Sequence, residues 1–217
     1  MGEVNKKNPN PQGKGAVPVL RDWSTMQPAA VGSKDAATFL RDYCISSLVL
    51  AARFRFKPVP GKDYFLYVGE GDWMLSLIGP HEWGTRRPGA FLGRCRLRMD
   101  MTWAIETSTN GETESLALER AQAFVAGFVD SLQGQAAVED SLPYYISHLP
   151  YYQRLLATAL ASSLQQTLAL CEQGGERLLA DAGEWLAAGG AGALLGVGLA
   201  RNHQQQAADA PAEFSHR

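Results

Sequence analysis

The sequence has no large excess of either charge. Its 217 residues include 20 Lys and Arg against 22 Asp and Glu, which gives a formal net charge of -2. Proteins that coat nucleic acids carry a clear positive surplus, so the chain as a whole is not of that class. Hydrophobic residues make up 46% and charged residues 19%. This balance is typical of a soluble globular protein with one well-packed domain or two small ones.

Cysteine is scarce, and long apolar runs are missing. Cys44, Cys95 and Cys171 are far apart, so a sulfur-rich zinc site is not expected. Free thiols are typical of a reducing compartment, and we predict a cytoplasmic protein. No apolar run reaches the roughly 18 residues of a membrane-spanning helix. The closest, residues 185–200, is rich in glycine and indicates a close-packed helix, a tail element, or a weak membrane or helix-pairing segment.

The common sequence signatures of enzymes are absent as well. The chain has no Walker A loop, no GxGxxG phosphate loop and no GxSxG nucleophile motif. The residue four positions after His81 is Thr85, whereas a zinc protease helix would have a second histidine there. We therefore predict no metal, no cofactor and no catalytic residue, and a non-enzymatic protein is favoured over an enzyme.

Changes in composition divide the chain into four parts. Residues 1–32 are rich in proline and glycine and predict an extended arm, with Val17, Val19, Leu20 and Trp23 as its anchors on the body. Residues 33–107 predict an α+β core domain. Residues 112–200 predict a helical region, and residues 201–217 a polar tail that frays.

The α+β core begins with a helix that Ser33 can cap, and Pro58 and Pro60 come after it. Aromatic and β-branched residues then predict two strands, over 63–69 and 73–79, as a hairpin. Alternation of polar and apolar residues over 91–106 predicts a third strand. We therefore expect an α+β fold, in which a three-stranded antiparallel meander is backed by a helix and followed by a C-terminal helical hairpin or bundle.

The segment IGPHEWG, residues 78–84, is the one part of the chain whose residues resemble a functional site. Histidine is the side chain best suited to proton transfer at neutral pH, and glutamate is a usable acid or base, so His81 and Glu82 are a candidate pair for proton chemistry. The segment equally suits a structural turn. In that interpretation Trp83 packs inward, Glu82 accepts backbone N–H groups, and Gly84 takes a positive φ.

A stripe of arginines follows this segment. Arg94, Arg96 and Arg98 project from the same face of the third predicted strand, about 7 Å apart, and Arg86 and Arg87 precede them in the loop. Guanidinium groups suit phosphate and carboxylate, so the stripe is a candidate surface for an anion, an acidic partner or single-stranded nucleic acid. The plainer interpretation is a solvated sheet face whose arginines pair with Asp100, Glu106 and nearby acidic groups.

Residues 36–106 resemble domain-of-unknown-function family 2452, which is found in bacteria and eukaryotes. The shared pattern includes Pro-x-Glu-Trp-Gly at 80–84, Phe-Leu-Gly at 91–93 and Asp-x-Thr-Trp at 100–103. The resemblance implies no activity and no cofactor. It includes Glu82, Trp83 and Gly84 and leaves position 81 variable, so it favours the interpretation of this segment as a turn between strands.

These observations together favour a binding or scaffolding module. We predict that its sheet face and the 79–84 loop contact a protein partner or a second copy of the chain, with nucleic acid less favoured. The candidate binding residues are His81, Glu82, Trp83, Arg86, Arg87, Arg94, Arg96 and Arg98. The alternative is a small enzyme for an anionic substrate, in which Glu82 is the acid or base, His81 assists, and Arg94 or Arg96 holds the anion.

Overall fold

A computed structural model describes residues 16–69, 71–108, 112–133, 142–143, 149–171, 174–188 and 193–195. The strands are β1 (Asp63–Val68), β2 (Trp73–Ser76), β3 (Ala90–Leu97) and β4 (Trp103–Thr107). The helices are α1 (Ala16–Thr25), α2 (Ala36–Ala51), α3 (Pro80–Trp83), α4 (Glu112–Gln133), α5 (Tyr151–Leu170) and α6 (Gly174–Ala187). The predicted α+β class is confirmed.

The strands form one antiparallel sheet in the order β2-β1-β3-β4. The predicted three-stranded meander was wrong in two respects. β1 lies between β2 and β3, and residues 91–106 form two strands joined by a tight turn. In this turn the Met101 amide donates to the Arg98 carbonyl at 3.1 Å, and Met101 has a φ of 64°. Alternation alone did not reveal the turn, because Met101 adopts the left-handed conformation without the usual glycine signal.

Helix α2 packs between the sheet and the C-terminal helices, which explains its wide apolar surface. It begins after Asp35 rather than Ser33: the Asp35 carboxylate accepts the Thr38 amide at 2.7 Å. The predicted cap was therefore wrong by two residues, because the side chain that accepts an amide of the first helical turn is that of Asp35 rather than Ser33. The helix ends at Ala51, ahead of Pro58.

The C-terminal half supplies three described helices rather than a simple hairpin. Helix α4 packs on β3, while α5 and α6 pack on each other and on α2. Buried side chains of these helices join those of α2 and the sheet in one hydrophobic cluster. The division into domains that the sequence predicts stays a prediction. The predicted tail lies outside the described residues, as does most of the 185–200 segment beyond α6.

The core contains two of the three cysteines, Cys44 and Cys95, as free thiols. Burial raises the pKa of Cys44 to about 12 and raises the pKa of Cys95 as well. Both thiols therefore stay protonated and behave as small hydrophobic side chains. None of the helices in the described parts of the chain is long and apolar enough to cross a membrane.

Helix α1 lies where the sequence predicts an extended arm. Its proline, Pro18, is in the first turn, where a missing N–H costs little. The predicted anchors were also wrong in part: Val19 packs against the core, but Val17, Leu20 and Trp23 are 76%, 66% and 45% exposed. Residues 1–15 lie outside the described residues.

Candidate functional site

The segment between β2 and β3 begins with the single helical turn α3, followed by a 3-10 turn over Gly84–Arg86. Gly79 is the N-cap and Pro80 occupies the first helical position. The Glu82 carboxylate reaches back and accepts the Gly79 amide at 2.9 Å. Gly84 ends the turn with a φ of 55°. The prediction that Glu82 accepts a backbone N–H and that Gly84 has a positive φ is confirmed.

Two donors from different elements meet at the carbonyl of Ile78. The Trp83 indole N–H donates to it at 3.1 Å, and the Tyr67 hydroxyl donates at 3.0 Å. Burial raises the pKa of Tyr67 to about 12, although the charge of Arg87 and the hydrogen bond with Trp83 act in the opposite direction. The Tyr67 phenol thus stays protonated as a donor. These contacts fix the Trp83 ring beside Ile78, with the ring itself half-buried.

His81 is exposed on α3 and forms no hydrogen bond or ion pair with the described residues. Glu82 beside it is occupied by the Gly79 amide. In the part of the chain that the structure describes, no three metal-ligating side chains lie together. Within the described residues, His81 and Glu82 are therefore not part of a metal-ligating cluster.

The arginine stripe lies on the outer face of β3, and each arginine contacts a carboxylate. Arg94 bonds Glu106 at 2.5 Å and lies 3.4 Å from Asp63, while Arg96 lies 2.6 Å from Asp63. Arg98 reaches the buried Asp42 at 2.5 Å. A cavity of about 210 Å³ lies among these side chains. The predicted pairing with Glu106 is confirmed, whereas Asp100 pairs with Lys34 instead.

Strand register explains this pairing. Arg94 lies opposite Glu106 on β4, and Arg96 lies opposite Asp63 on β1. Residues opposite each other on neighbouring strands have side chains within reach of one another, so opposite charges pair there. The charges of Arg94 and Arg96 are therefore balanced within the sheet, and Arg98 pairs with Asp42 on α2.

An apolar groove of about 520 Å³ runs beside the outer edge of β2. One wall comes from the segment after α2, and the other from β2 and the turn. The lining residues are Arg53, Phe54, Arg55, Phe56, Met74, Leu75, Ser76, Leu77, Ile78 and Trp83. Of the predicted site residues, only Trp83 lines this groove. The other lining residues were not predicted from the sequence, although the alternating Arg-Phe-Arg-Phe of 53–56 is a strand signal.

Backbone geometry produces the groove. The Arg53 amide donates to Trp73 at 2.8 Å, and the Leu75 amide donates to Arg53 at 3.1 Å. This is a single parallel bridge between Arg53 and Met74. Beyond it, no backbone hydrogen bond joins residues 54–56 to residues 76–78 within the described chain. The two segments separate there, and Leu77 and Ile78 stay 57% and 38% exposed.

Comparison with protein families concerns the same part of the chain. Residues 33–123 match the family DUF2452, protein of unknown function. The match confirms the family resemblance of the sequence and extends it into α4. The DUF2452 segment includes α2, all four strands, the α3 turn, the arginine stripe and both walls of the groove; α1, α5 and α6 lie outside it. No solved structure matches the chain.

Proposed function

We propose that the protein is a non-enzymatic binding module that holds a protein partner in the apolar groove beside the α3 turn. The observation that carries the proposal is the exposure of Leu77 and Ile78 at a groove of about 520 Å³ along a sheet edge. Exposed apolar patches rimmed by polar side chains mark interaction sites on soluble proteins. The α3 turn gives this patch a fixed shape, since Tyr67 and Trp83 both bond the Ile78 carbonyl.

Charge pairing within the sheet favours the groove over the arginine stripe as the contact surface. Arg94 and Arg96 already contact Glu106 and Asp63. A partner's carboxylate or phosphate would have to compete with these pairs. The same balance weighs against nucleic acid, whose binding depends on uncompensated positive charge.

The bonding of Glu82 weighs against the alternative of a small enzyme. Its carboxylate accepts the Gly79 amide, which is the role of a helix-capping side chain. A general acid or base needs a second polar group at hydrogen-bond distance in a concave site. Glu82 is exposed and does not line the groove.

The test is a quantitative comparison of bound proteins, by affinity purification from the native cell and mass spectrometry. Ile78→Asp places a charge on the groove wall. Arg94→Gln with Arg96→Gln removes the two sheet-face cations without adding a carboxylate beside Asp63 and Glu106. We expect the partner to be retained by the arginine double variant and reduced about tenfold by Ile78→Asp, the loss expected when a charge replaces an apolar contact at an interface centre.

Folding must be intact for this comparison to be valid. Ile78 is partly exposed, so Ile78→Asp should change the melting temperature little. The proposal is wrong if partner capture survives Ile78→Asp in a folded protein. Loss of capture in the arginine double variant alone would indicate that the sheet face, and not the groove, is the contact surface.

A further inference from the structure

We infer that the groove takes an extended segment with alternating apolar and acidic residues, which adds a strand at the β2 edge of the sheet. This inference rests on the proposed function and specifies the chemistry of the partner. It follows from three features of the groove: its open backbone edge, its apolar walls, and the arginines beside it.

The open edge lies where the Arg53 bridge ends. β2 is the outermost strand on its side of the sheet, and Arg53 pairs with it at Met74 only. The next bond of a parallel ladder would join the Arg55 amide to the Leu75 carbonyl, and no such bond is present. Exposed strand edges bind extended peptides through their free amide and carbonyl groups. A peptide between residues 54–56 and 75–77 would meet such groups on the β2 side.

The bridge at one end of the groove also favours an extended chain. A strand, at a spacing of about 4.8 Å, continues the hydrogen-bonding pattern of a sheet edge, whereas the backbone groups of a helix are bonded within the helix. The walls of the groove present Phe54, Phe56, Met74, Leu77 and Trp83. Because side chains of a strand alternate between two faces, every second residue of the peptide would contact these walls and should be apolar.

The remaining positions of the peptide meet positive charge. Arg53 and Arg55 line the groove, and the charge of Arg87 acts on Tyr67, whose hydroxyl donates to the Ile78 carbonyl at the groove wall. Arg53 forms an exposed pair with Asp72. Arg55 and Arg87 form no ion pair with any described residue, unlike the three arginines of the stripe. The whole chain has a net charge of -2, so this positive region is a local feature. Carboxylates are its complement.

The experiment selects ligands from a displayed library of random heptapeptides on the full-length protein, with Ile78→Asp as the counter-selection. We expect enrichment of Asp and Glu alternating with apolar residues, and depletion of proline, which lacks the N–H that a strand needs. Enrichment of basic peptides, or of no sequence above the Ile78→Asp background, would overturn the inference.

Synthetic versions of the enriched peptide then test charge and backbone separately, by fluorescence anisotropy. Replacing its acidic residues by Lys should weaken binding about tenfold, since two or three exposed ion pairs together give about this factor. Arg55→Glu should reverse that preference, while Arg94→Gln should leave it unchanged. Methylating every second backbone amide of the peptide should abolish binding in one of the two alternating patterns, the one whose amides face β2, and not in the other. Equal binding of both charge forms, or no effect of methylation on either register, contradicts the inference.

The result also separates this inference from the proposed function. If Ile78→Asp releases the cellular partner but the acidic peptides fail, the groove binds a partner of another chemistry and only the inference is wrong. If Ile78→Asp releases nothing, both are wrong. Sedimentation of the purified protein tests whether a second copy of the chain occupies the groove. A dimer that Ile78→Asp converts to monomer would show that it does and would overturn the inference.

Discussion

Replacing Lys34 by Met should destabilise the protein by about 3 kcal/mol. The Lys34 ammonium lies 2.7 Å from a carboxylate oxygen of Asp42 and 2.7 Å from one of Asp100. The three side chains are only 13%, 3% and 11% exposed. Removing one partner of a buried ion pair costs about 3–5 kcal/mol, because the remaining charge stays buried without compensation.

The lower end of that range applies because both carboxylates keep other partners. Asp42 retains Arg98, whose side chain is 42% exposed. Asp100 retains the amide and hydroxyl of Thr102, at 3.0 and 2.7 Å. Urea unfolding followed by tryptophan fluorescence and circular dichroism measures the loss. Lys62→Met is the matched control, since Lys62 is exposed and makes no ion pair with the described residues; its cost should stay within about 0.5 kcal/mol.

The loss should depend on pH with a defined sign. Burial raises the pKa of Asp100, but the hydrogen bonds from Lys34 and Thr102 outweigh burial and hold the pKa below its usual value. A carboxyl group with a lowered pKa stabilises the fold above about pH 4, and that stability is lost as the pH falls through the folded-state pKa. Without Lys34, the pKa of Asp100 should be higher than in the wild type, because only Thr102 then opposes the effect of burial. The difference between wild type and variant should therefore shrink below about pH 4.

A loss smaller than about 1 kcal/mol at neutral pH would refute this account of the buried cluster. So would a loss that stays constant down to pH 3, because the cost is assigned to an ionised carboxylate.

Three further predictions concern the sheet, the thiols and the turn. Gly93→Ala should cost about 1–3 kcal/mol or more in urea unfolding, because a Cβ there would collide with the Glu106 backbone on β4; Gly71→Ala, with open space around it, should be nearly neutral. Ellman's reagent should modify Cys171 alone in the native protein, since the two buried cysteines are protonated and covered, and three fast native thiols would contradict this. Glu82→Ala should cost about 1 kcal/mol in thermal or urea unfolding, and Glu82→Gln distinctly less, because Gln can still accept the Gly79 amide; equal losses would mean that the charge matters rather than the cap.

Local patterns predicted much of the α+β half. The apolar stripe predicted α2, and alternating residues predicted where the sheet residues lie. Pro80, Glu82 and Gly84 predicted the turn, because a fixed φ, a capping carboxylate and a positive φ are properties of single residues. The family resemblance was confirmed over 33–123.

Strand order and the division of 91–106 into β3 and β4 were beyond local patterns. Which strands pair depends on how the whole sheet covers α2, and the Arg98–Thr102 turn contains no glycine or proline, with Asp100 as its one usual turn residue. The exposure of the apolar face of α1 was also not predicted, because it too depends on the packing of the whole protein. Its apolar residues Val17, Leu20 and Trp23 form a helical stripe, but only the packing of the body decides which stripe is buried.

The sequence by itself determined the class of fold, the turn of PHEWG and the shared face of Arg94, Arg96 and Arg98, because each follows from the geometry of a few neighbouring residues. Only the tertiary structure decided what these features do. Register placed Asp63 and Glu106 against the arginines and balanced their charge. The separation of residues 54–56 from β2 opened the groove and brought Arg55 and Trp83 to it. Both depend on residues distant in sequence, whose meeting is set by the packing of the complete sheet and its helices.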